Sequence, residues 1–319
     1  MKNAWLVLGV SCAAACGGNS VEKIAPDPVT TSSDDAGADG LALKSTITIG
    51  PIPVARGEEK TVCVTERLTN TETLNVSKID AVLTQGSHHL VLYRSTDTVE
   101  SLTPTPCQPF EGIVSGTVPM YVVQSAAETL TFPAGVAIQL DPKQMIRIEA
   151  HYLNATTKDL QGTGTVRLYG YPSADAITQR ADLFFYGTSD ITLAPQSMGT
   201  AGPMYHRPPV GMNVFAITTH QHRLGVDATV QISSGKATEG QVVYDNTNWD
   251  NPPLTEWDPP RVMGATDGFR LTCKYNNVTD DTVTFGTSAT DEMCFVYGYF
   301  YPATSLDLYI CGLFGKNPC

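Results

Sequence analysis

Short apolar runs broken by Gly, Pro, Asn or Asp recur from residue 46 onward. In the first half they are 46–49, 61–65, 90–93, 120–123, 136–140, 145–153 and 165–171. In the second half they are 183–186, 214–222, 228–232, 241–244, 269–275, 282–285, 295–301 and 306–310. Runs this short, rich in Val, Ile, Thr, Tyr and Phe and bounded by turn residues, predict β-strands. Many such strands at even spacing predict β-sandwiches or barrels. No long amphipathic helix and no short-period repeat interrupts the pattern. The apolar periodicity lapses at 172–180, which divides the chain into two β-domains, 46–173 and 174–319.

The start of the chain follows another rule. Met1, Lys2 and Asn3 give a short positive start, and residues 4–15 form an apolar stretch too short to span a bilayer. This predicts an export signal over 1–16. It ends in Ala13-Ala14-Ala15-Cys16-Gly17-Gly18, small residues before a cysteine, as in a bacterial lipobox that would lipidate Cys16. Cleavage without a lipid and anchoring at Cys12 are the alternatives, and export follows from each. Residues 17–45 carry few large apolar side chains and read as a flexible linker. The expected location is the periplasm or the cell surface, with membrane contact only through the lipid.

Composition narrows the function. With 42% hydrophobic and 16% charged residues the 319-residue chain is globular, and its net charge of −12 argues against nucleic acid as a partner. Leaving out Cys12 and Cys16, six cysteines remain, an even number that suits disulfides in an exported protein. Pairing within domains leaves Cys63–Cys107 as the first-domain bridge, enclosing His88 and His89.

Five of the six histidines fall in three strand-like strings: Ser87-His88-His89-Leu90, Glu149-Ala150-His151-Tyr152 and Thr219-His220-Gln221-His222. Strand side chains alternate, so His220 and His222 share a face. His151 shares one with Glu149 and Arg147. The adjacent His88 and His89 face opposite ways unless a bulge or turn intervenes, and Gly86 permits one. Each imidazole alone fits a hydrogen-bonded strand residue, whereas five together in an exported chain favour metal ligands.

One further stretch, Asp291-Glu292-Met293-Cys294 followed by Tyr297, Tyr299 and Tyr301, completes a set. With the three histidine strings in this order, over residues 60–302, the chain resembles the copper type II, ascorbate-dependent monooxygenases. The resemblance implies two jelly-roll-like antiparallel β-sandwiches with a cleft between them. It implies two copper ions, one on His88, His89 and His151, the other on the catalytic ligands His220, His222 and Met293. It implies a Cys273–Cys294 bridge beside the methionine, and leaves Cys311–Cys319 to pair. The activity implied is hydroxylation of a C–H bond of a small organic substrate by O₂, with ascorbate or a similar one-electron donor. A soft thioether suits Cu(I), and imidazole suits copper in either state.

Where the peptidylglycine branch of that family grips a substrate carboxylate with arginine and asparagine, this chain has Thr218 and Phe295. Peptidylglycine is therefore not the expected substrate. Tyr297 either lines the substrate cleft or packs in the core, and His206 reads as a loop residue. The rival function is an exported copper-binding or storage protein that uses the same ligands without turnover.

Overall fold

A computed structural model describes residues 40–110, 112, 117–303 and 307–312. The expected export signal with Cys12 and Cys16, and the expected linker up to residue 39, lie outside the described residues, as does Cys319 of the expected Cys311–Cys319 pair.

The described strands of the first half are β1 (Ala42–Val54), β2 (Glu59–Arg67), β3 (Leu74–Val76), β4 (Lys78–Leu83), β5 (Ser87–Ser95) and β6 (Ser101–Pro106). They continue as β7 (Val118–Val123), β8 (Ala127–Thr131), β9 (Val136–Leu140), β10 (Met145–Leu153) and β11 (Leu160–Gly170). Those that follow are β12 (Gln179–Arg180), β13 (Asp182–Thr188), β14 (Thr192–Leu193), β15 (Ser197–His206), β16 (Asn213–His220) and β17 (Gly225–Ser233). The last are β18 (Gln241–Asn246), β19 (Thr255–Val262), β20 (Gly268–Asn277), β21 (Val283–Thr284), β22 (Cys294–Tyr301) and β23 (Asp307–Cys311). The fold is all-β and sandwich-like, as the hydrophobic pattern predicts. Among these strands only β12 on β9 and β23 on β13 pair parallel.

Burial shows how the sheets stack. Strand β11 alternates buried and partly exposed positions and sits in an outer sheet ordered β1-β11-β4-β8. Strands β5 and β10 are buried almost throughout and belong to the sheet β6-β2-β10-β5-β7. Strands β13 and β22 are likewise buried on both faces, within β19-β16-β22-β13-β23. The sheet β15-β20-β17-β18 alternates again. Alternation marks a sheet with one wet face, and continuous burial marks one covered on both. The two inner sheets therefore face each other.

One apolar core fills the first half and continues onto Phe185, Phe215, Met293, Phe295, Tyr297 and Tyr299 of the second. A second core lies behind them, on Phe184, Tyr186, Val214, Ile217, Val296 and Phe300. The alternation along β13 and β22 divides these residues between the two cores. Arg94 reaches across to Asp182 with both carboxylate oxygens, at 2.7 and 2.8 Å.

Two boundaries differ from the sequence reading. Strand β1 starts at Ala42, inside the stretch read as linker, because Ala42 and Leu43 pair with Gly170 and Tyr169 of β11. Strand β12 pairs with Val136 and Ala137 of β9, so the chain up to Arg180 is still tied to first-half strands. Neither pairing leaves a mark on local hydrophobic periodicity.

Candidate metal centre

Two adjacent strands build the first histidine set. In β5 and β10, His89 pairs with His151 and Ser87 with Tyr152, so His88 is the extra residue of a β-bulge. That bulge turns His88 to the side of its neighbour, as required for both to reach one ion. Gly86 precedes it with φ +86°, and a Cβ there would lie 2.7 Å from Leu160 Cδ1. The ring centroids of His88, His89 and His151 lie 5.0 to 5.2 Å apart.

The second set sits where β16 ends. His220 pairs with Phe295 of β22, and paired residues share a face. His222 follows just beyond the strand, its ring 5.1 Å from that of His220. Met293 immediately precedes β22 and is buried, its carbonyl accepting from Tyr275 Oη at 2.7 Å. By strand alternation it lies on the face of Phe295 and Tyr297. The Cys273–Cys294 bridge joins β20 to β22 beside it, and Cys63–Cys107 is also formed.

All five imidazoles are buried, and each has one ring nitrogen with no hydrogen-bond partner: His88 Nε2, His89 Nδ1, His151 Nδ1, His220 Nε2 and His222 Nε2. In four of them the other nitrogen is anchored. His89 Nε2 lies 3.4 Å from Glu149 Oε1, and His151 Nε2 donates to Glu59 Oε1 at 2.9 Å. His220 Nδ1 donates to Gln124 Oε1 at 2.5 Å, and His222 Nδ1 to the Asp291 carbonyl at 3.0 Å. The amide of Gln124 is oriented by its own donation to the Thr219 carbonyl at 2.9 Å.

An outer nitrogen held and an inner one bare is how a protein orients imidazole toward a metal. An unsatisfied buried polar group costs roughly 1–3 kcal/mol. Five together cost on the order of 5–15 kcal/mol, which matches the entire stability of an ordinary domain. The residues therefore fit a metal with a preference for nitrogen. Two groups have ligand nitrogens mutually within 4.8 Å: His88 with His89 and His151, and His88 with His220 and His222.

The electrostatics agree. Burial, reinforced by the neighbouring imidazoles, pushes His88, His89 and His220 well below the usual histidine range, and burial takes His222 down to about 4. Neutral imidazole is the ligand form. Around them are three acidic groups of unlike character. The hydrogen bond from His151 holds Glu59 down at about 2, while burial raises Glu149 and Glu292 to about 7.

The carboxylate of Glu292 accepts from the backbone N–H groups of His222, Leu224 and Met293, at 3.0, 2.8 and 3.3 Å. One side chain thus ties the His-x-His turn to the methionine. Glu292 stood in the quoted string without a role, while Glu59 and Gln124 had no signal in the sequence. Their partners lie 92 and 96 residues away, a separation set by sheet packing alone.

A cleft between the halves, about 410 Å³ in volume, reaches the centre at His88. Ser87, Gln124, Trp249 and Asp250 line it, with the Trp249 ring 6.1 Å from that of His88. Tyr297 is not among the residues lining this cleft: it is buried and stacks on Phe185, with centroids 5.9 Å apart. His206 ends β15 rather than lying in a loop, and its ring stacks on Tyr309 at 4.4 Å.

Comparison with known proteins bears on these residues. Residues 200–316 match the model described as copper type II ascorbate-dependent monooxygenase, C-terminal domain. His220, His222 and Met293 fall inside the match, and the first histidine set outside it. The chain is similar to a tyramine beta-hydroxylase of Caenorhabditis briggsae, with 24% identity over 321 residues, 90% of this chain and 54% of that protein. It thus spans about half the length of that relative. The major capsid protein P2 of bacteriophage PM2 overlaps 82% of this chain and 98% of its own at 11% identity and a TM-score of 0.33. PBCV-1 VP54 overlaps 81% and 93% at 9% identity and 0.26. Likenesses this slight carry no argument. The family resemblance read from the histidine strings and the Asp-Glu-Met-Cys stretch is shown by the first two matches.

Proposed function

We propose that this chain, related to the copper type II ascorbate-dependent monooxygenases, is itself such an enzyme and hydroxylates a C–H bond of a small organic substrate. The observation that carries the reading is the five buried imidazoles with bare inner nitrogens, four of them with the outer nitrogen held. His88, His89 and His151 would hold one copper, and His220, His222 and Met293 the catalytic one. Copper would supply one-electron redox chemistry and activate O₂, with ascorbate or a similar donor reloading it.

The chain's own residues divide the remaining work. Glu59, Gln124, Glu149 and the Asp291 carbonyl orient the imidazoles so that no ligand nitrogen turns away. Glu292 keeps the methionine at the His-x-His turn. The aromatic wall of Phe185, Phe295 and Tyr297 excludes water from the inner side of the centre. The substrate enters from the cleft beside Trp249.

The substrate carries no carboxylate anchored in the peptidylglycine manner. Thr218 is buried and donates to Tyr244 Oη at 3.3 Å, since that hydroxyl gives its own proton to the Pro253 carbonyl. Phe295 packs on Phe185. The two disulfides suit an oxidising compartment, and export from the cell is part of the proposal. No helix among the described residues is long and apolar enough to cross a membrane.

A second reading, copper storage without turnover, is favoured by the same two positions, which supply no charged substrate anchor. Reductant-driven turnover separates the two. With copper, ascorbate and O₂ the enzyme yields hydroxylated product from a screened panel, and Met293→Ala or His220→Ala abolishes it. Reduction and reoxidation without product across the panel is the storage result, and full activity in either variant contradicts the assignment of ligands.

A further inference from the structure

Three buried tyrosines stand in line behind the second histidine set. Gln124, which takes the His220 Nδ1–H, also lies within hydrogen-bonding reach of the Tyr297 hydroxyl. A second contact runs through rings. The His220 and Phe110 centroids are 5.5 Å apart, those of Phe110 and Phe185 6.0 Å, and Phe185 stacks on Tyr297 at 5.9 Å. Tyr299 follows Tyr297 by two residues on β22, so the two share a face about 7 Å apart. The Tyr299 ring lies 6.4 Å from that of Tyr121 on β7, and its hydroxyl accepts from the Val122 N–H at 3.2 Å. All three tyrosines are sealed from solvent.

The last member differs from the other two in where its proton can go. Tyr121 donates to Glu128 Oε1 at 3.0 Å, and Glu128 on β8 is partly exposed. A phenol that loses an electron becomes a strong acid, so the oxidised state settles where a base already holds the proton. Tyr297 faces the Gln124 amide and Tyr299 a backbone N–H, and neither group is a base. Tyr93 also donates to a carboxylate, Glu149, at 2.9 Å, but both members of that pair are fully buried. The line through Tyr121 ends at the surface.

We infer that Tyr297, Tyr299 and Tyr121 form a relay that drains oxidising equivalents from the second histidine set to the protein surface at Glu128. The inference rests on the copper reading and goes beyond it, since hydroxylation uses none of the three phenols as a redox group. The relay acts when copper, O₂ and the reductant generate a strong one-electron oxidant with no substrate C–H bond at hand. Tyr297 then gives up one electron, Tyr299 replaces it, and Tyr121 replaces that of Tyr299. The Tyr121 proton passes to the Glu128 carboxylate. One electron from ascorbate or a similar donor in solution restores Tyr121, and Glu128 returns the proton. The net change is one electron from donor to centre, which spares Met293 and the imidazoles from oxidation.

The test uses the full chain loaded with copper and given ascorbate and O₂ without substrate. Samples are freeze-quenched and read by electron paramagnetic resonance. The wild type shows a tyrosyl radical, identified by the narrowing that ring-deuterated tyrosine brings. Tyr121→Phe keeps the ring but not the phenol, so it loses that signal, and mass spectrometry finds Met293 sulfoxide accumulating sooner. Glu128→Gln keeps a hydrogen-bond acceptor that cannot take the proton, and it too loses the signal. Both variants retain the wild-type copper content. No tyrosyl signal in the wild type, or one of unchanged size in either variant, overturns the relay and leaves the copper reading standing. A wild-type chain that binds no copper overturns both.

Discussion

The two histidine sets use the same imidazole but differ in what stands behind it. The first lies within two paired inner strands and is backed by carboxylates, Glu149 behind His89 and Glu59 behind His151. The second lies at a strand end and a loop and is backed by neutral oxygens, the Gln124 amide and the Asp291 carbonyl. Carboxylates raise imidazole basicity and add negative charge, which favours Cu(II). Neutral acceptors with a thioether favour Cu(I). If these sets hold copper as proposed, one residue type is tuned toward two oxidation states by groups that never touch the metal.

The comparison breaks most visibly when metal is withdrawn. Chelation returns five buried nitrogens to an unsatisfied state, so the apo chain unfolds at least roughly 10 °C below the copper-loaded one. Scanning calorimetry of the two forms checks this. Equal melting temperatures would show that no ion satisfies those nitrogens.

Disulfide removal sharpens it next. Loss of Cys63–Cys107 through paired serines lowers stability by about 2–4 kcal/mol while both coppers stay bound. Loss of Cys273–Cys294, next to Met293, costs a similar amount and also weakens sulfur scattering at copper in X-ray absorption. Unchanged sulfur scattering would place the methionine's restraint elsewhere.

Charge in the outer shell tests the contrast itself. Glu59→Gln keeps an acceptor for His151 but removes a negative charge, so the first copper's reduction potential rises and its Cu(II) affinity falls roughly tenfold. Gln124→Ala removes no charge, and the second copper's potential moves less. An equal shift in both variants would mean that geometry, not charge, separates the sets.

The smallest effect lies away from the copper. Burial raises the Glu128 carboxyl to about 7, opposed by the hydrogen bond from Tyr121. With its folded value above the unfolded one, the folded chain holds the extra proton between roughly pH 4.5 and 7, so stability falls as pH rises through that window. Glu128→Gln flattens this fall, by about 1 kcal/mol because the side chain is partly exposed. An identical pH–stability curve in the variant would remove Glu128 as the source.

Much of the centre was legible in the sequence because it is written in local rules. Strand alternation placed His220 and His222 together, and the bulge required of His88 and His89 is present behind Gly86. The Met-Cys string predicted the Cys273–Cys294 bridge through its family resemblance. What escaped depends on contacts between distant sheets. Nothing near Glu59 or Gln124 marks them, because their roles arise only when the inner sheets meet. The pairing of β1 at Ala42 comes from β11, more than a hundred residues later, and cannot be read from the polar stretch before it.

The most direct test of the central claim is copper bound per folded chain after reconstitution and removal of loose metal. The account predicts two. A folded chain that retains none would contradict it and return the five imidazoles to the role of core side chains.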